Sequence, residues 1–167
     1  LVGGADLTGD GIDDLIIGGG APTGALSLVE GGDDTAMTTI ASSWTGDWLG
    51  WSVALGDLDG DGVQDIVSGA PALGAYAGGV AVLLDTTATE PTAWLSDSDP
   101  NAWAGSAVAT LDHDGDGVAE LLVGAPRTAG FAGEVLVYDG LTLSGRLEGH
   151  DRSGQALAGA DVDGDGL

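Results

Sequence analysis

One acidic, glycine-punctuated stretch recurs along the chain at a nearly fixed interval, and no other feature constrains the fold so tightly. "ADLTGDGIDDLIIGG" begins at Ala5, "GDLDGDGVQDIVSGAP" at Gly56, "LDHDGDGVAELLVGAP" at Leu111, and a short "ADVDGDGL" at Ala160. Their first carboxylates, Asp6, Asp57, Asp112 and Asp161, are spaced 51, 55 and 49 residues apart. Such a period implies stacked copies of one supersecondary unit.

Each unit has the same anatomy. A small-residue segment leads into the acidic loop: "LGWSVALGD" (49–57), "AGSAVATLD" (104–112) and "SGQALAGAD" (153–161). An apolar run leaves it: "DLIIGGG" (14–20), "DIVSGAP" (65–71) and "ELLVGAP" (120–126). After a glycine-rich gap come "GALSLVEG" (24–31), "GGVAVLLD" (78–85) and "GEVLVYDG" (133–140). A fourth stretch closes the unit: "TTIASSW" (38–44), "TAWLSD" (92–97) and "LSGRLEG" (143–149). Aliphatic and β-branched runs bounded by Gly, Pro and Asp predict strands, and no segment shows a helical period. Four short strands per unit predict an all-β chain built of β-propeller blades, each of four antiparallel strands with the acidic loop between the first two. The expected division is a single propeller region over 1–167. Its blades fall at 1–47 (first strand incomplete), 48–99 and 100–149, with the start of a further blade at 150–167. Ala54, Ala107, Ala109, Ala156 and Ala158 suit innermost strands, where side-chain space is least.

The loop itself points to a cation. Counted from Asp57, positions 1, 3, 5 and 9 are Asp57, Asp59, Asp61 and Asp65, and position 6 is Gly62. Four carboxylates this close repel and raise each other's pKa unless a cation joins them. A hard ion takes six to eight oxygens, and the backbone carbonyl of Val63 at position 7 adds another donor. Calcium fits this many oxygens in a flexible loop better than magnesium does, and zinc lacks the Cys or paired His it favours. An EF-hand is excluded twice. Position 12 is Ile17, Ser68 or Val123 where that motif needs an acid, and a strand follows where it needs a helix.

A small-residue strand, D-x-D-x-D-G-x-x-D, an apolar run and then GAP together resemble the FG-GAP repeat, the blade of integrin α-subunit propellers and of bacterial secreted propellers. "LGWSVALGDLDGDGVQDIVSGAP" (49–71) matches almost throughout, and the pattern extends over nearly the whole chain. The resemblance implies Ca2+ held structurally, about one ion per complete loop. Carried over by position, the implied ligands of the second loop are Asp57, Asp59, Asp61, the Val63 carbonyl and Asp65. Those of the first are Asp6, Thr8, Asp10, the Ile12 carbonyl and Asp14. The third uses Asp112, Asp114, Asp116, the Val118 carbonyl and Glu120, and the last begins with Asp161, Asp163 and Asp165. Thr8 removes a charge, so the first site is expected to bind more weakly. Glu120 is longer by a methylene, and the first unit has "GGG" at 18–20 in place of GAP.

Charge bounds the partners. The chain has 27 Asp and Glu against three Arg and no Lys, a net charge of −24. That excludes nucleic acid and anionic membrane surfaces. No apolar run is long enough to insert in a membrane, and without cysteine there is no thiol chemistry. No nucleophile–histidine pairing, metalloprotease motif or phosphate loop accompanies His113 and His150, so no catalytic residue is assigned. Trp48 and Trp103 recur with the unit, as do Trp44 and Trp94, which suits packing between blades. Trp51 has Ser106 as its counterpart, and it and Arg127 are the candidates for ligand contact.

The expected function is therefore a non-catalytic, calcium-binding, integrin-like propeller for extracellular or cell-surface adhesion, ligand binding or scaffolding. The alternative is a glycan-binding module or part of an extracellular carbohydrate-active enzyme. A protein or glycan partner is expected. Three and a fraction units do not close a ring, so further blades are expected from a longer chain or from further copies, with Gln155–Ala160 as a strand seated on another first unit. The chain begins with Leu1 and stops within a motif at Leu167, which reads as part of a longer protein. Richness in Ala, Gly and Asp without Lys suggests a bacterial source.

Overall fold

The computed structural model describes residues 2–19, 22–33, 37–41, 46–84, 88–96 and 99–160. Strands β1 (Val2–Ala5), β2 (Asp14–Gly18), β3 (Ala25–Val29) and β4 (Met37–Ala41) pair in chain order as an antiparallel meander. The second sheet repeats this with β5 (Val53–Gly56), β6 (Asp65–Gly69), β7 (Gly79–Leu83) and β8 (Ala93–Ser96). The third uses β9 (Ala107–Leu111), β10 (Glu120–Ala125), β11 (Glu134–Asp139) and β12 (Thr142–Glu148). The architecture is all-β, three successive four-stranded blades of a β-propeller type.

Burial follows from the stacking. The second sheet has a neighbour on each face, and β6 and β7 are buried at every position. One core lies between the first two sheets and includes Ile16, Leu26, Leu49, Ile66 and Leu83. The other lies between the last two and includes Val67, Val80, Val82, Leu121, Val123 and Leu136. The first strand of each sheet runs innermost: β5 contacts both β1 and β9, and the Thr110 hydroxyl donates to the Leu55 carbonyl between them. Ala54, Ala107 and Ala109 are buried there, as small residues allow, whereas Ala156 and Ala158 are exposed.

The recurring glycines meet across the blade interfaces. A Cβ on Gly69 would lie 2.0 Å from the Gly105 carbonyl oxygen, and one on Gly124 would lie 1.9 Å from that of Gly154. Gly18 meets Gly50 in the same way, at 2.1 Å, so the first unit keeps this contact although its GAP is incomplete. Gly50, Gly105 and Gly154 also have φ near +85° at the third position of a tight turn, closed by Trp51, Ser106 and Gln155 amides donating to the Trp48, Trp103 and Arg152 carbonyls. This turn corrects the expectation that the first strands begin at Leu49 and Ala104. The chain extends only from Val53 and Ala107, once past the turn.

Two features were not expected from the sequence. The connections after β6 and β10 wind through a left-handed turn, with φ of 59°, 59° and 70° at Gly74, Ala75 and Tyr76, and 51°, 70° and 76° at Ala129, Gly130 and Phe131. For a residue with a Cβ this costs roughly 1–2 kcal/mol. Bonds to the next unit offset the strain. The Trp103 amide donates to the Tyr76 carbonyl at 3.1 Å, and the Arg152 amide to that of Phe131 at 2.9 Å. Second, Gln155–Ala160 is drawn against the third sheet. Gly159 lies close against Thr110 and Leu111, and the segment has no ladder partner among the described residues.

Candidate metal centres

The acidic loops join the first two strands of each sheet and so share one end of the blades. Each is wound by its own carboxylates. In the second loop the Gly60 and Gly62 amides donate to Asp57 Oδ1 and Oδ2 at 2.7 and 2.8 Å. The Asp61 amide donates to Asp59 Oδ1 at 3.1 Å, and the Val63 amide to Asp61 Oδ1 at 2.8 Å. Carboxylate oxygens of Asp57, Asp59 and Asp61 lie within 4.8 Å of one another. Asp65, at the start of β6, is buried at 1% exposure beside them. The Leu58 amide donates to its Oδ2 at 2.7 Å, but its buried Oδ1 has no hydrogen-bond partner. Burial pushes the Asp65 carboxyl up to about 6, against the Leu58 hydrogen bond and with the help of the neighbouring Asp59, Asp57 and Asp61.

The third loop repeats this frame. Asp112, Asp114 and Asp116 converge as closely. Gly115 and Gly117 amides donate to Asp112, the Asp116 amide to Asp114 and the Val118 amide to Asp116. Glu120 is buried at the base of the loop, where its extra methylene brings Oε2 to 2.6 Å from the His113 amide.

The first loop differs. Asp6 accepts from the Gly9, Asp10 and Gly11 amides, and Asp10 from the Ile12 amide. Buried Asp14 accepts from Leu7 and Thr8 amides on Oδ2 and from the Gly31 amide on Oδ1, at 2.7, 2.9 and 2.8 Å. Burial alone would raise its pKa, yet the bonds from Gly31, Leu7 and Thr8 together hold it below the usual carboxylate value. No oxygen of Asp14 is left seeking a partner.

Three convergent carboxylates beside a fourth that is buried with an unpartnered oxygen make a donor set of oxygens alone, so the second loop fits calcium. Asp57, Asp59, Asp61, Asp65 and the Val63 carbonyl would hold the ion, which would supply the positive charge these groups lack. Asp161, Asp163 and Asp165 lie outside the described residues, as does Trp44.

The FG-GAP repeat family matches residues 49–83 and 104–138, spanning the first three strands of the second and third sheets. The chain carries FG-GAP repeats. The facing glycines at 69 and 105 set the GAP glycine of one FG-GAP repeat against the turn glycine of the next. Integrin alpha-V of Gallus gallus is 37% identical over 95 residues, covering 56% of this chain and 9% of that protein. Integrin alpha-5 of Xenopus laevis is 31% identical over 76% of this chain and 14% of its own length. Phosphatidylinositol-glycan-specific phospholipase D of Rattus norvegicus is 34% identical over 71% of this chain and 17% of its own. The chain thus spans less than a fifth of each of these relatives.

The ligand-contact candidates lie at the opposite end of the FG-GAP blades, among the connections after each second and fourth strand. Trp51 is exposed, and the Arg127 guanidinium stacks 3.3 Å above the Trp103 ring. The sequence reading missed Arg152 in this group, although its register with Trp48 and Trp103 was available. Trp94 is half-buried against the first core. His113 and His150 are exposed.

Proposed function

We propose that this chain is a calcium-stabilised, non-catalytic propeller domain of an extracellular or cell-surface protein, serving adhesion or ligand binding, and on composition a bacterial one. The observation that carries the reading is the unpaired Oδ1 of buried Asp65, whose carboxyl has the convergent Asp57, Asp59 and Asp61 as electrostatic neighbours. Bound calcium would join them and stabilise the folded state by mass action, about 2.7 kcal/mol per site at a hundredfold excess over Kd. Millimolar extracellular calcium keeps even weak sites filled. The likeness to integrin alpha subunits supports a role in adhesion. The likeness to a phospholipase D supports a second reading, a non-catalytic propeller carried alongside an enzyme domain.

We also propose that further blades complete the ring. Residues 150–154 support this: they seat on the third sheet as 101–105 seat on the second, with Gly133 bridged to Ser153 as Gly78 is to Ala104. Mass measurement in calcium tests it, since a strict monomer of this chain would exclude closure by copies.

The test of the calcium claim is a thermal melt. Excess chelator is expected to lower Tm by about 5 °C or more, restored by calcium and far less by magnesium. An unchanged melt would contradict the claim.

A further inference from the structure

At the end opposite the acidic loops, the residues that break the repeat converge on one cavity. Equivalent positions in the second, third and final units hold Trp51, Ser106 and Gln155, and likewise Trp48, Trp103 and Arg152. Arg127 stands where the second unit has Ala72. A cavity of about 230 Å3 is lined by Trp51, Trp103, Ser106, Arg127, Arg152 and Gln155, together with Pro126. Positions needed for packing repeat, as the facing glycines do. Positions that diverge and meet in one cavity are free to serve a ligand.

The chemistry of the lining is specific. Trp51 stacks on Trp48 with ring centroids 5.5 Å apart, yet remains 48% exposed and so presents an open indole surface to the cavity. Trp48 and Trp103 meet edge-on at 5.8 Å, and Tyr76 stacks on Trp103 at 6.1 Å, which fixes the aromatic wall. Arg127 lies over Trp103, and Arg152 lies 5.3 Å from the Phe131 ring centre. A guanidinium placed over an aromatic ring keeps its N–H donors available. The third arginine, Arg146, bonds Glu134 at 2.8 Å instead. Two of only three cations in a chain of net charge −24 therefore share this cavity. An anion would be repelled almost everywhere else on the surface, so these two define where one can dock.

We propose that this cavity binds a carboxylate-bearing sugar, a uronate within an acidic glycan. The carboxylate pairs with Arg127 and Arg152, the CH face of the ring lies on Trp51, Gln155 meets the hydroxyls, and Ser106, whose Oγ donates to the Trp103 carbonyl at 2.7 Å, accepts from one of them. The volume suits one ring rather than a long segment. Neutral hydrogen-bonding groups beside an open indole favour a sugar over an acidic peptide, which would offer its carboxylate without a flat CH face. The inference goes beyond the calcium reading, and its failure would leave a chelator-sensitive melt standing.

The test is a tryptophan-fluorescence titration of the calcium-loaded protein with short glucuronate-containing oligosaccharides, their carboxyl-reduced neutral counterparts and a glutamate peptide. Saturable quenching by the uronate alone is expected. Trp51→Ser, which installs the third unit's residue, and Arg152→Ala should each weaken it by about tenfold or more with unchanged melts. Arg127→Lys should weaken it less than Arg127→Ala does. Equal binding of the neutral sugar, binding of the glutamate peptide in place of the uronate, or no saturable binding by a protein with a normal melt would each overturn the proposal.

Discussion

The first and second acidic loops share a spacing but handle their buried carboxylate in opposite ways. Asp14 is satisfied by three amides, one of them reaching over from Gly31 beyond β3, and its pKa is lowered. Asp65 receives one amide bond, keeps an orphan oxygen and is raised to about 6. The first loop satisfies its buried carboxylate with protein alone, whereas the second leaves one oxygen of its own unpartnered. Near-identical motifs can thus differ in how they satisfy a buried carboxylate, and the loops differ by Thr8 in place of Asp59 and by what lies above the ninth position.

The largest expected effect comes from neutralising the two buried acids. In chelator, Asp14→Asn should destabilise by about 2–3 kcal/mol, because a charged acceptor of three amides is lost. In chelator, Asp65→Asn should be neutral or stabilising, since an unpaired buried charge disappears. In calcium its sign should reverse. Denaturant unfolding of both variants with and without calcium checks this, and equal losses in chelator would break the comparison.

Next in size is a swap at position 3. Thr8→Asp should add calcium-dependent Tm to the first unit, by a few degrees, and Asp59→Ala should remove a similar amount from the second. A Thr8→Asp protein whose calcium response matched the wild type would show that the Asp14 amides, not Thr8, decide the first loop's behaviour.

The last effect is a slope, spread over several pH units. The folded-state pKa of Asp65 lies near 6, above its ordinary 3.8, so its contribution in metal-free protein is complete below 3.8 and lost as pH rises to 6. Stripped wild-type protein should therefore lose more Tm between pH 4 and 7 than stripped Asp65→Asn. Parallel profiles would argue against the raised carboxyl. Asp14 runs the other way, its contribution present above 3.8 and lost as pH falls through its lowered value.

Much of the scaffold was legible because repetition amplifies weak signals. The four strands of each unit, the acidic loop between the first two and the small residues near the axis all follow from period and composition. Three things were not legible. The left-handed turns at 74–76 and 129–131 include Ala, Tyr and Phe, which give no local sign of positive φ, and they are held by carbonyls bonded to a later unit. The Gly31 amide that satisfies Asp14 comes from 17 residues away. The aromatic–arginine cluster joins residues from several connections, and only the fold brings Trp51 and Arg152 to one cavity.

We propose above all that the loops of the second and third units are cation sites built into the blades. Calorimetric titration of chelator-stripped protein with calcium, beside Asp65→Asn, tests it most directly. Saturable binding at two or more sites is expected in the wild type, with one site lost in the variant. No heat of binding, or an identical isotherm for the two proteins, would contradict it.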